Sequence, residues 1–154
     1  MKTISAGSTA PDFTLPDETG TQRLLGDFLA KGPVVLFFYP GAMTSGCTKE
    51  SCHFRDLAAE FGAVGAQRIG ISADTVAKQK EFSETNSFDY PLLSDPDGIV
   101  ATAYGVKRRF LTPVKRATFV IGTDGKVTEV ITSEMNMTVH ADQALRALQG
   151  SSAS

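Results

Sequence analysis

The stretch "GPVVLFFYPGAMTSGCTKESC", residues 32–52, holds both cysteines of a 154-residue chain directly after its most apolar run. Val34 to Tyr39 are all β-branched, aliphatic or aromatic, which is the composition of a central strand buried on both faces. A loop containing Pro40, Gly41 and Gly46 follows. Beyond it, Phe54, Leu57, Ala58 and Phe61 recur at three- and four-residue steps, so "CTKESCHFRDLAAEFGA" reads as one helix with an apolar face. A buried strand that feeds a helix through a short loop is the core unit of an α/β fold.

The same pattern extends outward. "APDFTLPDETGTQRLLGDF" reads as an N-terminal β-hairpin around a Glu-Thr-Gly turn, leading into a short helix. "QRIGISAD" is a second buried strand, followed by a helix within 75–87. "YPLLSDPDG" supplies a short strand and a turn, and "GIVATAYGV" a short helix. "RATFVIGTDGKVTEVIT" has the form of a hairpin turning at Asp124-Gly125, and "HADQALRALQ" closes the chain with an amphipathic helix. The expected architecture is a single α/β domain over 1–149, with a central mixed β-sheet flanked by helices. Residues 150–154, ending in "GSSAS", are expected to form a flexible tail.

Composition narrows the function. The chain is 42% hydrophobic and 21% charged, with a formal net charge of −2, which suits a globular protein. It lacks the basic excess expected of a nucleic-acid or anionic-membrane surface. "PVVLFFYP" is too short to span a bilayer, and "MKTISAGSTAPDF" lacks the apolar core of a signal peptide. The chain therefore reads as cytoplasmic. In that compartment a pair of cysteines points to redox or catalytic chemistry rather than a structural disulfide.

Cys47 falls at the start of the helix after the buried strand. Free backbone N–H groups and the helix dipole there favour a thiolate, which is the nucleophilic form. Gly46 lets the loop approach closely, Thr44 offers a hydroxyl, and Pro40 stiffens the loop. Across five helical residues the two cysteine Cα atoms stand about 8–9 Å apart. A disulfide needs them within about 7 Å. Any Cys47–Cys52 bond therefore requires the first turns of the helix to unwind.

"YPGAMTSGCTKESC" resembles the peroxiredoxin active-site segment, P-x-x-x-T/S-x-x-C, through Pro40, Thr44 and Cys47. The second cysteine within C-T-x-E-x-C is similar to the bacterioferritin-comigratory-protein/PrxQ subfamily. "APDFTLPDETG", "FDYPLLSDPDG" and "VKRATFVIGTDGKV" extend the likeness over nearly the whole chain. The resemblance implies a thioredoxin-like fold and a thiol-dependent peroxidase without metal, haem or flavin. It implies that Cys47 attacks the hydroperoxide and becomes a sulfenic acid, which Cys52 resolves as an intramolecular disulfide. A thioredoxin or similar dithiol would then restore both thiols.

The resemblance also implies that Thr44 hydrogen-bonds the peroxide and Pro40 screens the sulfenate. Arg116 would lie beside the sulfur, with Glu50 orienting it, and Gly46 would line the substrate site. The subfamily favours a monomer, with a small edge-to-edge dimer as the alternative. The loop departs from the family at Gly41-Ala42-Met43 and Ser45, where Asp and Pro are frequent. Lys107, Arg108, Arg109 and Lys115 read as a solvated basic loop, His53 as a surface or packing residue, and His53 and His140 lack the spacing of a metal site. The rival functions are a dithiol–disulfide exchange protein, a non-enzymatic redox sensor, and a thiol-independent binding domain.

Overall fold

A computed structural model describes residues 3–108, 114–134 and 136–152. In chain order it opens with β1 (Thr14–Pro16) and β2 (Gln22–Leu24), an antiparallel pair leading into the short helix α1 (Leu25–Leu29). Then come β3 (Val34–Phe38), α2 (Ser45–Asp56), α3 (Ala58–Ala63) and β4 (Gln67–Ser72). The second half runs through α4 (Val76–Asn86), β5 (Leu92–Ser94), α5 (Ile99–Ala103), β6 (Ala117–Ile121), β7 (Val127–Thr132) and α6 (Val139–Ser152). The main sheet has the order β5-β4-β3-β6-β7. β3 pairs parallel with β4 and antiparallel with β6, so the sheet is mixed, as the sequence led one to expect.

β3 divides two cores between its faces. Val34, Leu36 and Phe38 join Ile69, Ile71, Phe119 and Tyr104 under the N-terminal hairpin, α1 and α5. Val35, Phe37 and Tyr39 point the other way, onto Phe54, Phe61, Phe82 and the α6 residues Ala141, Ala144 and Leu148. The side-chain alternation of a pleated strand thus puts every residue of β3 in one core or the other. Phe37 stacks on Phe54 with centroids 4.1 Å apart, which fixes α2 against the sheet.

Two elements depart from the sequence reading. The helix expected to run unbroken through "CTKESCHFRDLAAEFGA" ends at Leu57, whose φ/ψ of −96°/21° separates α2 from α3. The carbonyl of Phe54, which a continuing helix would offer to the N–H of residue 58, instead accepts from the Arg68 guanidinium at 2.9 Å. The second departure is at the C-terminus, where α6 continues to Ser152, into the stretch read as a tail.

Gly70 sits on β4 beneath the aromatic cluster. A Cβ there would stand 2.8 Å from Leu92 Cδ2, 3.0 Å from Phe37 Cζ and 3.1 Å from Tyr39 Cε1. Gly70→Ala should therefore overpack this core and destabilise the fold by about 1–3 kcal/mol. Urea denaturation tests this, and an unchanged midpoint would contradict the packing described.

Candidate active site

The sheet order brings the site together. Because β3 and β6 are antiparallel neighbours, with Phe38 opposite Ala117, the loop leaving β3 and the residue entering β6 lie at the same sheet edge. Cys47 follows that loop and Arg116 precedes β6. Thr44 is the N-cap of α2 in extended conformation, and the helical ladder begins with Thr48 N–H donating to the Thr44 carbonyl at 2.9 Å. The amide of Cys47, in the first turn, therefore lies ahead of the ladder at the positive end of the helix.

Cys47 is fully buried. Arg116 Nη2 donates to its Sγ at 3.3 Å, and Arg116 Nη1 donates to Glu50 Oε1 at 2.7 Å. A single buried guanidinium thus joins two residues one helical turn apart on α2. Burial opposes the charge on Arg116, but Glu50 and Cys47 together outweigh it and raise its pKa. Gly46 lies against this group: a Cβ there would stand in van der Waals contact, 3.4 Å from Arg116 Nη2 and 3.5 Å from Met137 Sδ.

The main chain of Arg116 is also held. Its N–H donates to Glu134 Oε1 at 3.1 Å, and Arg108 pairs with the other oxygen of Glu134. Burial tends to raise the Glu134 pKa, but these two donors more than reverse it. Arg108 is therefore a structural brace rather than a solvated loop residue. Lys107 Nζ donates to the Asp97 carbonyl at 3.2 Å, and Lys115 N–H donates to the Val106 carbonyl. Arg109 lies outside the described residues.

The loop that carries the departures is fixed by specific contacts. Met43 takes a left-handed φ of 67°, and the Ala42 N–H is taken by Asp74 Oδ2 at 2.7 Å. Asp74 in turn accepts from Ser72 Oγ at 2.7 Å, which ties the loop to the end of β4. Tyr39, just before Pro40, is pinned by donating its hydroxyl to Gln79 Oε1 at 2.5 Å. The Thr44 hydroxyl donates to the Gly41 carbonyl at 2.8 Å and so faces into its own loop. Pro40 is half-buried at the junction of strand and loop.

Cys52 lies in the same continuous helix as Cys47, and both thiols are free. Its Sγ donates to Asn86 Oδ1 at 3.6 Å, away from Arg116, and burial raises its pKa despite the nearby Arg55. His53 bonds Asp142 at 2.7 Å near the surface. The sequence reading missed His140, Thr118, Glu134 and Met137, all of which stand around the Arg116 cluster. A histidine on the apolar stripe of α6, beside Ala141 and Ala144, was the one available signal.

The sequence matches the family described as the AhpC/TSA family over residues 6–130. The chain belongs to the AhpC/TSA family. Within that family a peroxiredoxin of Mycobacterium tuberculosis is 61% identical over 149 residues, covering 95% of this chain and 97% of that one. A chloroplastic peroxiredoxin Q of Oryza sativa subsp. japonica is 39% identical over 147 residues, covering 95% of this chain and 67% of its own. The crystal structure of peroxidoxin BcpB from Mycobacterium tuberculosis matches with a TM-score of 0.92 at 60% identity, over 96% of this chain and 97% of that one. The bacterioferritin comigratory protein of Xanthomonas campestris, described for its alkyl peroxide reduction activity, matches with a TM-score of 0.84 at 30% identity over 97% of each chain. The resemblance read from the cysteine segment, and the thioredoxin-like fold it implied, are those of the AhpC/TSA peroxiredoxins.

Burial raises the Glu50 pKa to about 7, with Arg116 partly offsetting the effect. An unfolded Glu50 releases its proton near 4.5, so between these values the folded state binds more protons and stability falls as pH rises. Glu50→Gln cannot titrate and should flatten the stability profile across that window. Thermal melts at several pH values test this, and equal slopes in both proteins would contradict it.

Proposed function

We propose that this chain is a thiol-dependent peroxidase reducing hydrogen peroxide and organic hydroperoxides, with Cys47 as the attacking sulfur. The observation that carries the reading is the Arg116 donor 3.3 Å from a sulfur in the first turn of α2. A guanidinium and free amides together favour the thiolate. As the O–O bond breaks, negative charge grows on the departing oxygen, and donors already aimed at the site lower the barrier. Thr44 turns its hydroxyl from Gly41 to the peroxide, Pro40 screens the sulfenate, and Gly46 leaves room for substrate beside Arg116. Glu50 holds the guanidinium in place.

Cys52 then attacks the Cys47 sulfenic acid, forming a disulfide and releasing water. Both sulfurs belong to α2, so this step needs the first turns of that helix to open. A thioredoxin-type dithiol reduces the disulfide by exchange. No step requires a metal or organic cofactor. Residues 1–149 act as one domain, in a cytoplasmic and monomeric protein. Among the described residues, no helix is long and apolar enough to cross a membrane.

Peroxide consumption with a thioredoxin reducing system tests the assignment. The parent protein should turn over repeatedly, and Cys47→Ser should fall to background. Cys52→Ser should consume about one equivalent and then stall under thioredoxin. Activity surviving in Cys47→Ser would overturn the reading, and sustained turnover by Cys52→Ser would remove the role given to Cys52. A single equivalent consumed by the parent protein would instead mark a redox sensor.

A further inference from the structure

Two fully buried groups, Glu50 and His140, stand behind the contact between Arg116 and Cys47. The two oxygens of Glu50 are not equivalent. Oε1 accepts from Arg116, whereas Oε2 is buried without a partner, 3.6 Å from His140 Nδ1. The state of the imidazole follows from its other contacts. Nε2 lies 2.7 Å from the Ser133 carbonyl, which can only accept, so Nε2 carries a hydrogen. Burial first, and then the charge of Arg116, lower the His140 pKa and keep the ring neutral. Nδ1 is therefore an acceptor, taking the Thr118 hydroxyl at 2.8 Å.

A charged Glu50 would set a bare anionic oxygen against the electron-rich Nδ1 edge of a neutral ring, with no donor to satisfy it, whereas a protonated one removes that repulsion. Charge balance argues the same way. Arg116 is one cation between two acids, Cys47 and Glu50, and a dry site tolerates one anion beside it far better than two. The other ionisable groups nearby do not alter the count. Tyr90, which interacts with Glu50, is kept neutral by burial, and Glu134 is neutralised by Arg108.

We propose that Glu50 and Cys47 share a single proton, that Glu50 holds it on Oε2 while Cys47 is a thiolate, and that the neutral His140, whose Nδ1 faces Oε2 at 3.6 Å, is the positioning residue that favours the protonated carboxyl. The proposal rests on Cys47 being the reacting sulfur and extends that reading to the proton balance of the peroxide step. The Cys47 sulfur gives an electron pair to the peroxide, forming S–O as O–O breaks. The sulfur is oxidised by two electrons and the peroxide is reduced. Thiolate, hydroperoxide and the Glu50 proton become sulfenic acid, alcohol or water, and the Glu50 carboxylate. The carboxylate then balances Arg116 in place of the lost thiolate, and the buried cluster stays neutral throughout.

Infrared difference spectroscopy on the reduced full chain reads this proton directly, as the carbonyl band of a buried carboxylic acid identified by its loss in Glu50→Gln. The band should be present near neutral pH and absent at that pH in Cys47→Ser, where no thiolate competes for Arg116. Thr118→Val, nearly isosteric, frees Nδ1 for Glu50 and should move the loss of the band upward by about one pH unit, a tenfold change in the equilibrium. His140→Phe should move it downward by about as much. The proposal is overturned if no Glu50-dependent band appears, if Cys47→Ser leaves its midpoint unchanged, or if Thr118→Val fails to raise it. Peroxide turnover without the band would sink this inference alone, whereas the band behaving as described in a protein without turnover would sink the peroxidase reading instead.

Discussion

One guanidinium, almost wholly removed from water, serves a sulfur and a carboxyl group at once. A cation in such a place is costly unless it is paired and hydrogen-bonded, so the chain must supply partners from several directions. α2 supplies Cys47 and Glu50 one turn apart, and the stretch after β7 supplies Glu134 for the main chain of Arg116. Gly46 keeps the space in front of the guanidinium open. The mixed sheet matters to function through this arrangement: pairing β3 with β6 in antiparallel sense is what carries Arg116 to the mouth of the helix.

The same helix is asked both to hold and to yield. Its second half is tied down from outside, with the Ser51 carbonyl accepting from the Tyr90 hydroxyl at 2.7 Å, the Phe54 carbonyl from Arg68, and the Phe54 ring stacked on Phe37. Its first turn carries the Arg116 contact to the Cys47 sulfur, beside the packing of Cys47 in the core. Once the sulfur becomes an uncharged sulfenic acid, that contact loses its electrostatic part while the ties at Ser51 and Phe54 are unaffected. In the proposed cycle, opening confined to the beginning of α2 would carry Cys47 toward Cys52 and leave the aromatic core closed.

Much of this was legible in the chain because the signals are local. The apolar run at Val34–Tyr39 gives a central strand, Asp124-Gly125 gives a hairpin turn, and the place of Cys47 after a Pro/Gly loop gives a helix start. Arg116 and Glu50 were assigned through the family resemblance, and the geometry places both against Cys47 or its partner. What could not be read depends on residues remote in sequence. At the break at Leu57, Arg68 takes a carbonyl of the preceding turn that a continuing helix would use. The surroundings of Arg116 draw Thr118, Glu134 and His140 from three separate segments, and no spacing rule links them to residue 47. Arg108 looked like one of several solvated cations because its partner lies beyond the intervening strands.

The account stands on Arg116 making the Cys47 sulfur reactive, and single-turnover stopped-flow reaction of the reduced protein with hydrogen peroxide measures that most directly. With Arg116→Gln, which keeps a hydrogen-bond donor but removes the charge, the rate constant should fall by about 10²–10³-fold while the fold is retained. A folded Arg116→Gln protein reacting as fast as the parent would contradict it.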